Sequence, residues 1–393
     1  MRLIHTSDWH LGRAFHQVGL LGAQAAYVDH LVEVVRSEQV DAVLVSGDVY
    51  DRAMPAPDTV ALFSQALERL VDAGAQVVVS SGNHDSAIRL GFASGLLSRA
   101  GVHLRTSVAD VGRPVLVGGV AVHALPYLEP ALVADALGSR ERTHAGVLRA
   151  AMDRVRADVA GRGGPSVVMA HAFVTGGATS ESERDISVGG VAAVPPSVFA
   201  GVDYAALGHL HGRQKVAEGV RYSGSPVAMS FSEWRHRKGS LLVDLSGAAP
   251  EVEHVDAPVE RPLRVLRGRL ETLLTSPDHA DAETAWCQVT LTDPVRPPAA
   301  MDRLRRRFPH TLELRFDPEG AEVALRPYAR RVEARSEVEV CCDFLGHVRG
   351  GRPATDEERA LLAEAVEAAR VARGTADDEG VARTGVAAAE GAA

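Results

Sequence analysis

The first two thirds of the chain repeat one pattern, in which a short apolar run ends abruptly in polar residues. The runs are rich in β-branched residues and apolar on both faces, which is typical of strands buried between layers. Five of them end in Asp, Asn or His, namely Asp8 with His10, Asp48, Asn83 with His84, His171, and His209 with His211. The pattern therefore predicts a sheet that presents chemically competent side chains at its strand ends.

Segments with helical spacing of apolar residues lie between the early runs. They predict helices over 25–38, 58–73 and 86–99, and glycines follow the last two at Gly74 and Gly101. Gly118 and Gly119, between two runs of valine, predict a hairpin turn. Strands that alternate with helices favour an α/β fold.

The last third of the chain predicts additional, smaller units. Prolines near residues 257–262 mark a boundary, which makes 1–257 the first domain and 263–327 a small α+β domain. Residues 333–348 and 355–373 predict two closing helices, since Thr355 and Glu358 have capping-box spacing and Gly374 follows the second. The small, alanine-rich residues 375–393 predict a disordered tail.

Composition narrows the class of protein. The 393 residues include 42 basic and 51 acidic side chains, a net charge of −9, which argues against a basic nucleic-acid coat. It does not exclude a nucleic-acid enzyme, because local basic patches and bound cations can offset the total. Three cysteines cannot form a disulfide framework. With neither a signal peptide nor a membrane span in the pattern, we expect a cytoplasmic protein.

The polar strand ends predict a metal centre. Ligands of open α/β sheets bind outside the carboxyl ends of the strands, so the five strand ends can converge. Carboxylate, imidazole and amide donors suit Mn²⁺ or Fe²⁺, and a shared carboxylate such as Asp48 can bridge two ions. Taken singly, an Asp after a strand is usually a turn residue, and a buried His usually a hydrogen-bonded core residue. Five such strand ends together favour the metal site.

The complete motif set resembles that of the calcineurin-like metallophosphoesterases. It consists of Asp8-x-His10, Gly47-Asp48-x-x-Asp51, Gly82-Asn83-His84-Asp85, His171 and Gly208-His209-x-His211. Further segments, among them Arg184-Asp185-Ile186 and Tyr222-Ser223-Gly224-Ser225-Pro226, are similar to the nuclease subunits of bacterial SbcCD complexes. This resemblance covers about residues 1–373. It implies a metallophosphoesterase β-sandwich flanked by helices, a small α+β capping domain and C-terminal partner-binding helices.

The resemblance also implies the roles of the site residues. It assigns one divalent ion to Asp8, His10, Asp48 and His211, and a second to Asp48, Asn83, His171 and His209, with Mn²⁺ preferred. His84 would lie beside the scissile phosphate, and Asp85 would orient its ring. The implied enzyme is a two-metal phosphodiesterase that acts on DNA as a double-strand exonuclease and a single-strand or hairpin endonuclease, in DNA repair, recombination and replication. Its implied partners are DNA, an SbcC-type coiled-coil ATPase and a second copy of the chain, at the nucleoid.

Two alternative functions stay open at this point. The chain could be a free-standing phosphodiesterase for a small substrate, or a non-catalytic scaffold; the extra domain disfavours the first and the complete ligand set the second. DNA-contacting candidates are Arg13, Arg52, Arg89, residues 235–238, Arg303 and Arg305–Arg307, each of which could equally be a solvated surface charge. The helices at 58–73 and 86–99 are the predicted dimer contacts, and the helix at 355–373 the predicted ATPase contact, although its apolar face could dock on its own capping domain.

Overall fold

The computed structural model describes residues 1–184, 193–319, 336–349 and 351–381. The chain divides into two compact units, one formed by 1–265 with 284–287 and the other by 266–283 with the residues from 288 onward. All five predicted strand ends belong to the first unit. Four predicted segments lie partly outside the described residues. They are Asp185 and Ile186 of one quoted motif, residues 320–327 of the small domain, residues 333–335 of the first closing helix and residues 382–393 of the tail. Among the helices that are described, none combines the length and apolar character that a bilayer span requires.

The strands of the described residues, in chain order, are β1 (Arg2–Thr6), β2 (Ala14–Phe15), β3 (Val18–Gly19), β4 (Ala42–Ser46), β5 (Gln76–Ser80), β6 (Val102–Arg105), β7 (Val115–Val117), β8 (Val120–Ala124), β9 (Ser166–His171), β10 (Tyr204–Gly208), β11 (Gln214–Ala217), β12 (Val220–Tyr222), β13 (Gly239–Asp244), β14 (Glu251–Asp256), β15 (Leu263–Gly268), β16 (Trp286–Leu291) and β17 (Thr311–Phe316). The predicted hairpin at Gly118-Gly119 is confirmed, because it joins β7 to β8 in antiparallel register.

The helices of the described residues are α1 (Leu21–Ser37), α2 (Pro57–Asp72), α3 (Ala87–Leu90), α4 (Ser94–Leu97), α5 (Pro130–Leu137), α6 (His144–Arg162), α7 (Leu270–Thr275), α8 (Ala300–Arg307), α9 (Glu337–Val348) and α10 (Asp356–Val381). The single helix predicted over 86–99 is wrong, because this segment forms two short helices and a 3₁₀ turn. Ala93, with a φ of 58°, has the left-handed conformation that a right-handed helix cannot include.

Among its described residues, the first unit contains two six-stranded sheets and the small β2-β3 sheet. The strand orders of the six-stranded sheets are β14-β13-β1-β4-β5-β6 and β11-β12-β10-β9-β8-β7. In the first sheet β1, β4, β5 and β6 are parallel, and in the second β8, β9, β10 and β12 are parallel. Apolar side chains of both sheets share a buried core that includes Leu3, Leu44, Val78, Val122, Met169 and Ala206. The predicted α/β sandwich is thus confirmed, and its parallel strands end at the site described below.

Helices cover the outer faces of this sandwich. The outer face of the first sheet shares a core with α1 and α2, through residues such as Leu31 and Phe63. The outer face of the second sheet does so with α5 and α6, through residues such as Ala134 and Met152. The inner strands of both sheets are therefore buried on both faces, which explains why they appear in the sequence as continuous apolar runs.

A buried histidine links the two sheets near the site. On β1, the His5 ring donates from Nε2 to the carbonyl oxygen of Leu207 at 3.0 Å, and the hydroxyl of Tyr204 donates to His5 Nδ1 at 2.9 Å. Leu207 and Tyr204 both lie on β10. Burial lowers the pKa of His5 to about 3, against the weaker opposing effect of the Leu207 hydrogen bond. The neutral ring therefore joins the two strands that lead to Asp8 and His209.

The second unit contains most of the three-stranded sheet β15-β16-β17, the helices α7 and α8, and the C-terminal helices α9 and α10. The predicted capping box is present, since the Glu358 amide donates to Thr355 Oγ1 at 3.3 Å and the Thr355 amide donates to Glu358 Oε2 at 2.9 Å. The predicted helix end at Gly374 is wrong, because α10 continues to Val381, and residues 375–381 of the predicted disordered tail are therefore helical. A glycine costs a helix about 1 kcal/mol, which the surrounding helix-forming residues can outweigh.

Candidate metal centre

Five strands from the two sheets bring the predicted site residues together. The loops after β1, β4 and β5 supply Asp8, His10, Asp48 and His84, while β9 and the loop after β10 supply the remaining histidines. The side chains of these residues are at most 5% exposed: Asp8, His10, Asp48, His84, His171, His209 and His211. Asn83 lies beside them and is partly buried. Burial of so many titratable groups at one place is rare unless they pair with each other or with a cation.

The backbone at four of these residues is left-handed. The φ angles are 53° at Asp8, 43° at His10, 48° at Asp48 and 104° at His209. Such conformations cost non-glycine residues about 1–3 kcal/mol each and persist only where the surroundings enforce them. The strand ends therefore turn sharply, so that successive side chains can face one point.

Hydrogen bonds between the loops enforce these turns. The Asp8 amide donates to the Gly47 carbonyl at 3.1 Å, and the His10 amide donates to the Asp48 carbonyl at 3.0 Å. The Asp8 carboxylate accepts from the His209 amide at 3.0 Å, which connects the first sheet to the second. Two candidate ligands are thus positioned by main-chain bonds to neighbouring candidate ligands.

Two glycines allow the loops to approach so closely. A Cβ on Gly47, whose φ is +83°, would lie 2.3 Å from Nδ1 of His171. A Cβ on Gly82 would lie 2.1 Å from Oδ1 of Asp48. Any side chain at these positions would displace a candidate ligand, which explains the glycines of the Gly47-Asp48 and Gly82-Asn83 motifs in physical terms.

The side chains form overlapping groups of candidate ligands. Donor atoms lie within 4.8 Å of one another in each of three groups, namely Asp8 with His10 and His211, Asp8 with Asp48 and His171, and His10 with Asp48 and His84. The Nε2 atoms of His10 and His211 are 3.2 Å apart. Asp48 Oδ2 lies 3.5 Å from His10 Nε2 and 3.4 Å from His171 Nε2, which places Asp48 between the two halves of the site.

Two further residues complete the second half of the site. Asn83 Oδ1 lies 2.9 Å from Nε2 of His171. The ring of His209 lies edge-on to that of His171, with their centroids 5.3 Å apart. The structure therefore brings all seven predicted ligands into one cluster, in which all but Asn83 are buried, while ligation itself stays a prediction.

The electrostatics of the cluster favour a bound cation. Burial raises the pKa of Asp8 to about 6, although the nearby histidines oppose this rise. Burial would lower the pKa of His171, but Asp48 raises it to about 9. A proton on His171 thus partly neutralises the buried carboxylates of Asp8 and Asp48. A divalent cation would neutralise them more completely.

The donor set also fits such an ion chemically. His10 Nδ1 is buried without a hydrogen-bond partner among the described residues, and burial lowers the pKa of this histidine well below its usual range. Burial also lowers the pKa of His209 to about 3. Neutral imidazoles, carboxylates and one amide oxygen are the donors that suit ions such as Mn²⁺.

His84 and Asp85 do not interact as predicted. His84 Nδ1 donates to the main-chain carbonyl of Asp51 at 2.8 Å, so this carbonyl, and not Asp85, orients the ring. The Asp85 carboxylate instead accepts three main-chain bonds, from the amides of Gly82 at 2.8 Å, Tyr50 at 2.9 Å and Val49 at 3.1 Å. Asp85 therefore connects the loop after β5 to the loop after β4, and the orienting role predicted for its side chain is wrong.

The structure also places an ion pair behind His211 that the sequence analysis missed. Glu233 and Lys238 are buried and paired, and Ser182 connects Glu233 to the His211 ring. Burial would raise the pKa of Glu233, but Lys238 and His211 hold it well below its usual range. The prediction that Lys238 contacts DNA is wrong, because its side chain is buried. Lys238 follows exposed basic residues in the sequence, so the sequence alone gives no sign that its side chain points inward.

The other residues predicted to contact DNA differ in their solvent exposure and ion pairing. Arg13 pairs with Asp51 at 3.0 Å, and Arg303 and Arg307 pair with Glu271 and Glu283. Other candidates are exposed, namely Arg52, Arg89, Arg235, Arg237, Arg305 and Arg306. Arg235 lies over the Trp234 ring at 4.4 Å, and Arg237 pairs with Asp256. DNA contact by these arginines stays a prediction.

Comparisons with known proteins agree with this geometry. A protein-family model described as calcineurin-like phosphoesterase matches residues 1–213, more than half of the chain. The chain belongs to the calcineurin-like phosphoesterases. A second model, described as type 5 capsule protein repressor C-terminal domain, matches residues 259–349 of this phosphoesterase.

One curated relative extends the match to most of the phosphoesterase. The SbcD nuclease of the SbcCD complex of Staphylococcus saprophyticus is 26% identical over 367 residues, covering 92% of this chain and 96% of its own. The resemblance to SbcCD nucleases, predicted from the motifs, is confirmed by this match.

Solved structures give weaker likenesses. TT1561 of Thermus thermophilus has a TM-score of 0.39 at 13% identity, with 64% of the phosphoesterase and 98% of that chain covered. GAP50, the anchor in the inner membrane complex of Plasmodium, has a TM-score of 0.37 at 11% identity, with coverages of 81% and 98%. These scores are too low to carry an argument about function.

Proposed function

We propose that this phosphoesterase is a metal-dependent DNA nuclease, an exonuclease on double strands and an endonuclease on single strands and hairpins. The observation that carries the proposal is the cluster of seven candidate ligands, six of them buried, with His84 beside it. The match to an SbcCD nuclease over 92% of the chain supports DNA as the substrate. The cellular setting would be cytoplasmic DNA end processing in repair, recombination and replication.

The proposed centre holds two divalent ions, with Mn²⁺ as the metal. Asp8, His10 and His211 would hold one ion and Asn83, His171 and His209 the other, with Asp48 shared. When bound, divalent ions lower the pKa of water and neutralise charge on phosphate oxygens. The central position of Asp48, 3.5 Å from His10 and 3.4 Å from His171, supports the shared role.

His84 is the proposed proton carrier toward the leaving oxygen. Its Nδ1–H is held by the Asp51 carbonyl, which leaves Nε2 as the atom that can carry a proton. Burial lowers the pKa of His84, while the charge of Asp48 opposes that effect, with His84 Nε2 at 3.9 Å from Asp48 Oδ2. A ring fixed at one nitrogen and poised at the other suits a general acid.

The rest of the chain would serve DNA and partners. We assign residues 1–257 to the nuclease domain, 263–327 to a capping domain and 333–373 to the binding of an SbcC-type coiled-coil ATPase. Exposed apolar side chains on α9 and α10 support that partner site, since Phe344 is 55%, Val348 64% and Leu361 66% exposed. Helices that present apolar residues to solvent are typical of helix-in-groove binding.

A homodimer is also part of the proposal. Around α3 and α4, Ile88 is 89% exposed, Phe92 80% and Leu96 68%. Three large apolar side chains in so short a segment support a protein interface at this surface. Two-fold contact between copies is the commonest way to cover such a surface.

The test compares DNA and small substrates. A labelled DNA hairpin with Mn²⁺, with and without a coiled-coil ATPase, is compared with bis-p-nitrophenyl phosphate. We expect both substrates to be cleaved, and digestion of duplex ends to require the ATPase and ATP. Asp48→Ala should abolish every activity, whereas the matched surface variant Asp29→Ala should abolish none, because Asp29 is exposed and pairs with Arg69 at the surface. Cleavage of the small diester without any cleavage of DNA would refute the nuclease.

A further inference from the structure

His211 is held at three of its polar atoms. Its amide donates to Glu183 Oε1 at 2.8 Å, and its carbonyl accepts from Lys238 Nζ at 2.9 Å. Its ring Nδ1 lies 2.6 Å from the hydroxyl of Ser182. The other ring nitrogen, Nε2, faces His10 in the metal cluster. The residue is thus fixed in position and ring orientation from the side opposite the candidate metals.

The direction of each hydrogen bond follows from the charged pair behind Ser182. Lys238 pairs with Glu233 inside the protein, and both side chains are buried, so Glu233 is an ionised acceptor. The Ser182 hydroxyl therefore donates to Glu233. Since a hydroxyl has one proton, its oxygen must accept from His211 Nδ1–H. In the neutral ring this leaves Nε2, the nitrogen that faces the cluster, with the lone pair.

The buried pair makes further hydrogen bonds of its own. Lys238 Nζ also donates to Ser225 Oγ at 2.9 Å, and Glu233 also accepts from the Met229 amide at 3.3 Å. Buried ion pairs often contribute little net stability compared with apolar residues. Stability alone therefore does not explain why the Glu233–Lys238 pair is buried here. Fixing the tautomer of an adjacent ligand supplies a reason.

We infer that Ser182, backed by the Glu233–Lys238 pair, is the positioning residue that sets His211 in its metal-binding tautomer. The inference rests on the proposed function, since it assumes that His211 binds a metal ion. Hydrogen-bonded partners behind ligating histidines typically change metal affinity by about 10–100-fold when removed. The effect should fall on one ion, because His171 uses a different device: its Nδ1 donates to the main-chain carbonyl of Ser46 at 3.1 Å.

Ser182 can be altered without disturbing the other half of the site. Its main-chain carbonyl accepts from Arg13 at 3.3 Å, and Arg13 in turn pairs with Asp51, whose carbonyl orients His84. A side-chain substitution at Ser182 keeps that carbonyl in place. Loss of the hydroxyl therefore separates the positioning of His211 from that of His84.

The experiment measures Mn²⁺ binding to the full chain by the electron paramagnetic resonance of free Mn²⁺. The native chain should bind two ions. Ser182→Ala should bind one ion with native affinity and the other about 10–100-fold more weakly. The matched control is Ser180→Ala, because the Ser180 hydroxyl contacts Ser182, Glu183 and Glu233, whereas the hydroxyl that meets the His211 ring belongs to Ser182. It should retain native affinity for both ions.

An isosteric pair keeps the test decisive if Ser182→Ala does not fold. Ser182→Thr retains the hydroxyl and should restore the weakened affinity, whereas Ser182→Val has the same shape and should not. In Ser182→Val the loss should fall on one ion only, because a purely structural role would weaken the binding of both ions together. Two native affinities in Ser182→Ala or in Ser182→Val would overturn the inference alone. A native chain that bound no Mn²⁺ would overturn the proposed function with it.

Discussion

Replacement of His5 by Gln should make the stability of the protein less sensitive to acid. His5 joins β1 to β10 as a neutral ring, with a pKa of about 3 in the folded chain against about 6.5 in the unfolded chain. Between these values the unfolded state binds more protons than the folded state. The native chain therefore loses stability as the pH falls through this window, and Gln, which does not titrate, removes that loss.

The magnitude follows from the shift. At pH 7.5 both states of His5 are neutral, so His5→Gln should cost about 1–3 kcal/mol for its altered hydrogen bonds. At pH 5 protonation of His5 in the unfolded state lowers the stability of the unsubstituted protein by about 2 kcal/mol, at about 1.36 kcal/mol for each pH unit below 6.5. The free energy of unfolding of His5→Gln, relative to that of the unsubstituted protein, should therefore rise by about 2 kcal/mol between pH 7.5 and pH 5.

Urea unfolding of both chains in EDTA, at the two pH values, measures this difference. Other titrating groups cancel, because they are common to both chains. Tyr204→Phe is the matched control, since it removes one hydrogen bond to His5 but leaves the ring titratable. If the difference in free energy of unfolding between the two proteins were the same at pH 7.5 and pH 5, the pKa argument would be refuted.

Four further predictions concern the site and the partner. Asp48→Ala should lose both metal ions, measured as metal content after gel filtration; two retained ions would contradict the shared role. His84→Ala should keep its metals yet turn over roughly 10²–10⁴-fold more slowly. Asp85→Ala leaves three loop amides without their acceptor, so Mn²⁺ affinity should fall, and unchanged binding would contradict its linking role. Truncation after Gly351 should preserve small-diester cleavage but abolish ATPase co-purification.

The positions of the candidate ligands could be predicted because they follow from a general property of parallel sheets. Parallel strands of one sheet end at one edge, so the polar residues after five apolar runs could converge wherever the two sheets pack with those edges together. The same reasoning needs no knowledge of which strands are neighbours. It therefore succeeded for Asp8 on the first sheet and for His209 on the second, although about 200 residues separate them in the sequence.

The partners of those ligands could not be predicted in the same way. His84 and Asp85 are adjacent in sequence, which suggested that they interact, yet the ring is oriented by the main-chain carbonyl of Asp51. A carbonyl is present at every residue and leaves no trace in the sequence. The prediction that Lys238 contacts DNA failed for a related reason. Lys238 follows two exposed arginines, Arg235 and Arg237, in the sequence, whereas in the fold its side chain points inward to Glu233.

The left-handed backbone at the site explains why the candidate ligands hold one another in place. Glycine would accept these φ angles without strain, but it offers no donor atom, so Asp8 and Asp48 occupy strained positions for their side chains. Their carboxylates then accept main-chain amides, Asp8 from His209 and Asp48 from His84 at 2.9 Å. Each carboxylate thus holds another functional residue in place before any ion binds. Loss of one carboxylate must therefore misplace a second residue, and the losses caused by single substitutions in this cluster cannot be additive.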